Sequence, residues 1–138
     1  MDKSIMDSYG IEIKTTITKQ GLADLFANCL CSWSIGYGML SIDLDEQEYI
    51  HARQVAMSKA DGDIYTECVY AEALLLGYSI HVKDAYNGGE FWVDLSTMHK
   101  NFDNIADYHM RRILNLEDDA CTHDGILQTL ILGKETYC

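Results

Sequence analysis

The chain has no proline, ten basic residues against 22 acidic ones, and no apolar run of membrane-spanning length. Without proline there is no proline-rich linker, so connections should be short turns built on glycine, at Gly10, Gly36, Gly38, Gly77, Gly88, Gly89 and Gly133. The most apolar stretch, Ala71–Leu76, falls far short of the roughly 18 residues that a membrane helix needs. The first residues lack a basic region followed by an apolar one, so no secretory leader is expected and the chain reads as cytoplasmic. Five cysteines, an odd number, argue against a disulfide framework in that compartment. Cys29 and Cys31 have one residue between them rather than zinc's usual two, and no matching second pair follows. Free thiols, mostly buried, are expected.

What is present is negative charge, a formal net of -12 over 138 residues, together with 48% hydrophobic residues. A disordered acidic tail would not carry that much apolar material. The reading is one folded domain, residues 1–138, wearing an acidic coat that repels nucleic acid and membranes and attracts basic protein surfaces. Residues 1–42 hold four acids and three bases, so the rest of the chain carries eleven of the twelve net charges. Nine tyrosines, too many to be core, suit an interface.

Periodicity gives the layout. Ile11–Ile17 alternates apolar and polar residues and predicts a half-buried strand. Thr18 is placed to cap a helix carrying Leu22, Leu25, Phe26, Cys29 and Trp33 on one stripe and stopping near Gly36 or Gly38. Met39–Leu44 alternates again. Residues 46–59 fit either a helix, opened by Asp45 with Glu48, or a strand, and the capping pattern favours the helix. Asp61 or Asp63 is expected to cap a helix over 64–76 with Ile64, Cys68, Ala71 and Leu75 inward and Gly77 as its stop. Runs 79–83 and 90–95 flank Tyr86-Asn87-Gly88-Gly89, a hairpin signal, with Ile80, Val82, Phe91, Val93 and Leu95 on one face. Ser96 should start one long helix to about Leu114, striped by Met98, Phe102, Ile105, His109 and Ile113. Thr122 or Asp124 should start a last one, with Ile126, Leu127, Leu130 and Ile131 inward and Gly133 as its end. The fold class is α+β: a small, mostly antiparallel sheet with a hairpin at about 79–95, packed by three to five helices.

No motif reaches the level of an enzyme signature. The five histidines include no pair four residues apart on a helix. His109 reads as a boundary residue rather than a base. Cys121 beside His123 is the least poor nucleophile, but acidic neighbours raise a thiol pKa, the wrong direction. Asp61-Gly62-Asp63 puts its glycine at the second position, where a calcium loop has it at the sixth. Gly36-x-Gly38 lacks the third glycine and the following lysine of phosphate-binding loops. No enzyme activity, cofactor or metal is expected. The chemistry left is that of three acidic clusters: Asp43, Asp45, Glu46 and Glu48; Asp61 and Asp63 with Glu67 and Glu72; and Glu117, Asp118 and Asp119 with Asp124. Such runs either solvate a face or present a field like that of duplex DNA, which carries one charge per roughly 1.7 Å of axis.

The opening strand and helix, Ala73-Leu74-Leu75-Leu76-Gly77-Tyr78-Ser79-Ile80, Asp84-Ala85-Tyr86-Asn87-Gly88-Gly89-Glu90-Phe91-Trp92-Val93-Asp94-Leu95 and Asp124–Gly133 together resemble small acidic proteins of phages and conjugative elements, over about two thirds of the chain. That group includes anti-CRISPR and anti-restriction inhibitors. The resemblance implies a non-enzymatic inhibitor of a bacterial defence effector and supplies no catalytic residue. Its partner would be a basic nucleic-acid-binding protein, met by Asp43, Asp45, Glu46, Glu48, Asp61, Asp63, Glu117, Asp118 and Asp119 as a nucleic-acid mimic, with no direct contact to nucleic acid or membrane. The alternative is a structural or accessory adaptor of a mobile element, acidic only for solubility, with a homodimer through an unpaired edge beside the hairpin open to it.

Overall fold

The computed structural model describes residues 2–137, apart from the side chain of Trp33. The order is β1 (Asp2–Met6), β2 (Glu12–Thr16), α1 (Lys19–Asn28), α2 (Trp33–Gly36), β3 (Leu40–Asp43), α3 (Glu46–Lys59), α4 (Thr66–Leu75), β4 (Ile80–Asp84), β5 (Glu90–Val93), α5 (Leu95–Phe102), α6 (Asp107–Leu114) and α7 (Ala120–Leu132). The fold is α+β, and every strand pairing is antiparallel: β1 with β2 in one sheet, β3-β4-β5 in another. No helix is long and apolar enough to cross a membrane among the described residues.

Local chemistry sets the elements. Thr18 caps α1 by accepting from Gly21 N. Asp45 caps α3 by accepting from Gln47 N and Glu48 N, which decides residues 46–59 in favour of helix. Ala52 and Ala56, four residues apart, are the buried points of α3, and their small size lets it lie close against α4. Gly133 ends α7 at φ 85, a left-handed conformation that glycine adopts without a Cβ penalty. The hairpin forms with Ile80 opposite Val93 and Val82 opposite Phe91.

Several expectations need correction. The Ile11–Ile17 run is largely exposed rather than half-buried, because β1, a strand absent from the sequence reading, takes the inner position with Lys3 and Ile5. Lys3 hid the alternation: it points inward and donates to the backbone oxygen of Asp103. The first helix stops at Asn28, and Trp33 opens the one-turn α2 instead of extending the stripe. α4 starts at Thr66 without a side-chain cap, not at an aspartate, and buries Val69–Leu74 continuously because α1 and α3 flank it; Cys68 is exposed. The hairpin loop is the five residues 85–89, where Gly88 has positive φ and Asn87 does not. The Asp84 carboxylate, accepting from Tyr86 N and Asn87 N, shapes that loop. Asp94, not Ser96, caps α5. The long helix expected to reach Leu114 breaks after Phe102, because Asn101 and Asn104 donate their side-chain amides to the carbonyls of Leu130 and Gly133 at the end of α7. Asp119, not Thr122 or Asp124, caps α7. The described residues form seven helices, more than the three to five expected.

A buried polar chain fastens the C-terminal residues. Asp124 accepts from Ser34 N (2.9 Å), Ser34 Oγ (2.6 Å) and Gln128 Nε2 (2.8 Å). Gln128 Oε1 accepts from Thr136 N and Tyr137 N, and the Tyr137 hydroxyl donates to Asp84.

Candidate partner-binding surface

Alternation along β3, β4 and β5 divides the sheet into two unlike faces. Leu40, Ile80, Val82 and Val93 are buried on the inner face, with Ile42 and Phe91 half-buried beside them. The other face presents Ser41, Asp43, His81, Lys83, Glu90 and Trp92, all exposed except the half-buried His81. The register makes two rows: Asp43–His81–Trp92 and Ser41–Lys83–Glu90. The His81 imidazole stacks on the Trp92 indole at 4.7 Å between centroids and 25° between planes, while its Nε2 lies 2.6 Å from Glu90 Oε1. Trp92 remains 64% exposed. A tryptophan on the solvent side of a strand, held by a stacked ring, is a rigid apolar anchor of the kind enriched at the energetic centres of interfaces. The sequence reading missed it. Its signal was the alternation itself, which sets Trp92 opposite to Phe91 and Val93.

The first acidic cluster adjoins this face. Asp43 ends the row, its carboxylate accepting from Leu44 N at 2.8 Å. Two residues on, Asp45 is exposed and pinned as the cap of α3; Glu46 is exposed and Glu48 half-buried in the first turn. Asp61 and Asp63 are exposed beyond the other end of α3, about 20 Å away for 14 residues at ~1.5 Å each. Glu117, Asp118 and Asp119 are exposed at the joint between α6 and α7. There the side-chain bond with His123 (2.6 Å) holds the Asp118 carboxyl below its ordinary range. The Thr122 backbone N–H does the same for Asp119, which also meets Arg112 at 3.1 Å. The first two clusters thus sit at opposite ends of one helix, and the third at the start of another. Glu72 and Asp124, grouped with these clusters by sequence, are buried: Glu72 pairs with Lys59 Nζ at 2.6 Å, and Asp124 belongs to the polar chain above.

Burial pushes the Cys29 thiol up to about 12, with Asp118 and Asp124 adding to the rise. Of the described cysteines Cys31, Cys68 and Cys121 are exposed, contrary to the expectation of mostly buried thiols; Cys138 lies outside the described residues. His109 is buried rather than at a boundary: its Nε2 lies 3.1 Å from both Glu135 oxygens, and its ring occupies the space over Gly125, where a Cβ would come within 2.3 Å of Nε2. A cavity of about 340 Å³ is lined by Leu22, Leu74 and Leu75 together with Lys19, Asp94 and His99. Asp94 is committed to capping Thr97 N. Among the described residues no three His, Cys, Asp or Glu side chains converge as a metal site. No family model, curated protein or solved structure matches the chain.

Proposed function

We propose that the protein is a non-enzymatic binding module that docks onto a basic, nucleic-acid-holding surface of another protein. The target class is a bacterial defence effector, a CRISPR nuclease or a restriction enzyme, blocked in the cytoplasm by nucleic-acid mimicry. The observation that carries this reading is the fixing of exposed carboxylates at helix ends. Asp45 and Asp119 are held by backbone N–H groups and Asp118 by His123, so their charges stand at set positions. The hydrogen bonds on Asp118 and Asp119 also keep those two ionised to lower pH. A mimic of a phosphate array needs charges at set positions, whereas a purely solubilising coat does not. Asp43 and Trp92 on the open sheet face supply an anchor beside the charge. Such binding weakens steeply with salt, because charge pairs are screened within about 10 Å at 0.1 M ionic strength. The test is capture of partners from a lysate containing active CRISPR and restriction systems, at low and then high salt. An effector subunit held at low salt and released at high salt supports the reading; binding indifferent to salt removes the mimicry mechanism. The adaptor reading keeps one observation in its favour, the unpaired outer edge of β5 beside exposed Trp92. A protein that self-associates through that edge and captures no basic protein fits it instead.

A further inference from the structure

Among the described residues β2 is hydrogen-bonded to β1 along one edge and no strand pairs with the other. Glu12, Ile13, Lys14 and Thr16 are exposed and Thr15 half-buried along that strand. An open edge with usable N–H and C=O groups is a template for another strand. Which groups point outward follows from the ladder. Asp7 N donates to Ile11 O at 2.9 Å, continuing by one step the register that sets Ile5 opposite Ile13. In an antiparallel pair, bonded and non-bonded positions alternate. Ile11, Ile13 and Thr15 therefore spend their backbone groups on β1, and Glu12, Lys14 and Thr16 direct theirs to the free edge.

We propose that β2 pairs antiparallel with β2 of a second copy of this chain, about a two-fold axis at Ile13. Outward groups must meet outward groups, which restricts the register. An axis at Glu12 sets Glu12 against itself, and an axis at Lys14 sets Lys14 against itself. An axis at Thr15 forms as many backbone bonds but sets Lys14 opposite the uncharged Thr16, with no ion pair across the strands. The Ile13 axis sets Glu12 opposite Lys14 of the second copy, twice by symmetry. It forms four backbone hydrogen bonds and places the two Ile13 residues face to face. Opposite charges directly across a pair of strands stabilise it, and like charges destabilise it. A two-fold axis normal to the sheet keeps both bodies on the same side. That side carries the apolar surface otherwise left to water: Ile13, 36% exposed, and Ile11 at the strand, with Leu114 lining the cleft of about 240 Å³ beside it.

Sedimentation equilibrium on the wild-type chain tests it, with Glu12→Lys, Lys14→Glu and the double variant alongside. The wild type is expected to be a dimer. Each single swap turns both attractive pairs repulsive and weakens the dimer by about tenfold or more, while the double swap restores the pairing and the affinity. Ile13→Cys supplies a second measurement. Facing residues of a non-bonded pair have Cα atoms about 4.5 Å apart, within the roughly 4.4–6.8 Å that a disulfide spans. Oxidation is expected to give a 13–13 link by peptide mapping, and Thr15→Cys, whose two copies lie far apart in this register, is expected to give no 15–15 link. A monomeric wild type, a dimer indifferent to the single swaps, a double swap no better than the singles, or absence of the 13–13 link would each overturn the proposal.

Discussion

Asp124 and Asp43 are the same residue type in surroundings that have little in common. Around Asp124, donors from α2 and from its own helix consume both oxygens, and Gln128 passes the connection on to the backbone of Thr136 and Tyr137. Around Asp43 the one donor is the amide of the next residue, and the side chain stands in a row with His81 and Trp92 on an open face. A carboxylate gripped by residues 90 positions away in sequence holds the fold; one gripped only by its neighbours is free to meet something else. By that criterion Asp84, Asp124 and Glu72 leave the acidic coat, while Asp43, Asp45, Glu46, Asp61, Asp63 and Glu117–Asp119 remain on it.

Substitutions sharpen the contrast. Asp124→Ala strands Ser34 and Gln128 in a buried site, and chemical denaturation is expected to show a loss of about 3 kcal/mol. A loss under about 1 kcal/mol would remove the polar chain as a structural element. Trp92→Ala is expected to behave in the opposite way. Its exposed site leaves stability within about 0.5 kcal/mol of the wild type, yet affinity for a captured partner falls by about 2 kcal/mol, read by calorimetry or interferometry. Unfolding by Trp92→Ala, or unchanged affinity, would make that face bland. Gly125→Ala falls between them. The helix gains up to about 1 kcal/mol from the loss of glycine, but crowding against the buried His109 ring costs about 1–3 kcal/mol. The expected result is a net loss of about 1 kcal/mol, and a stabilised variant would mean that His109 moves aside freely.

The smallest effect is in pH. Desolvation acts to raise the Asp84 carboxyl, but bonds from Tyr137, Asn87 and Tyr86 prevail and lower it. Asp94 is lowered first by the Thr97 N–H, Asp118 by His123 and Asp119 by the Thr122 N–H. Carboxyls lowered in the folded state contribute stability that is complete above the ordinary value of 3.8 and is lost as pH falls through the folded values. Thermal melting followed against pH should therefore show these four groups adding nothing new between about pH 6 and 8, with a decline setting in below about pH 4. Asp84→Asn should flatten that decline.

The legible parts of the fold are those set by near neighbours. Thr18, Asp45 and Gly133 act within a few residues, and each was readable as a cap or stop. The hairpin followed from alternation on both sides of a glycine pair. What escaped depends on distant residues. β1 was hidden because Lys3 points inward to a carbonyl 100 positions away. The break after Phe102 was hidden because Asn101 and Asn104 bind carbonyls 29 positions on. The acidic clusters were legible as composition, but which carboxylates are spent on the interior is decided by partners such as Ser34 and Lys59 that only the fold brings near. Trp92 was visible as a residue but not as an anchor, since its exposure depends on the helices packing against the sheet's other face.

The most direct measurement is the salt dependence of binding to a captured effector subunit, made with the wild type, with Trp92→Ala and with Asp118→Asn/Asp119→Asn. Tight binding at low salt is expected to fall steeply as salt rises, with a shallower slope for the double aspartate variant and an unchanged slope at weaker affinity for Trp92→Ala. Binding with the same slope in all three, or no effector captured at any salt, would contradict that expectation.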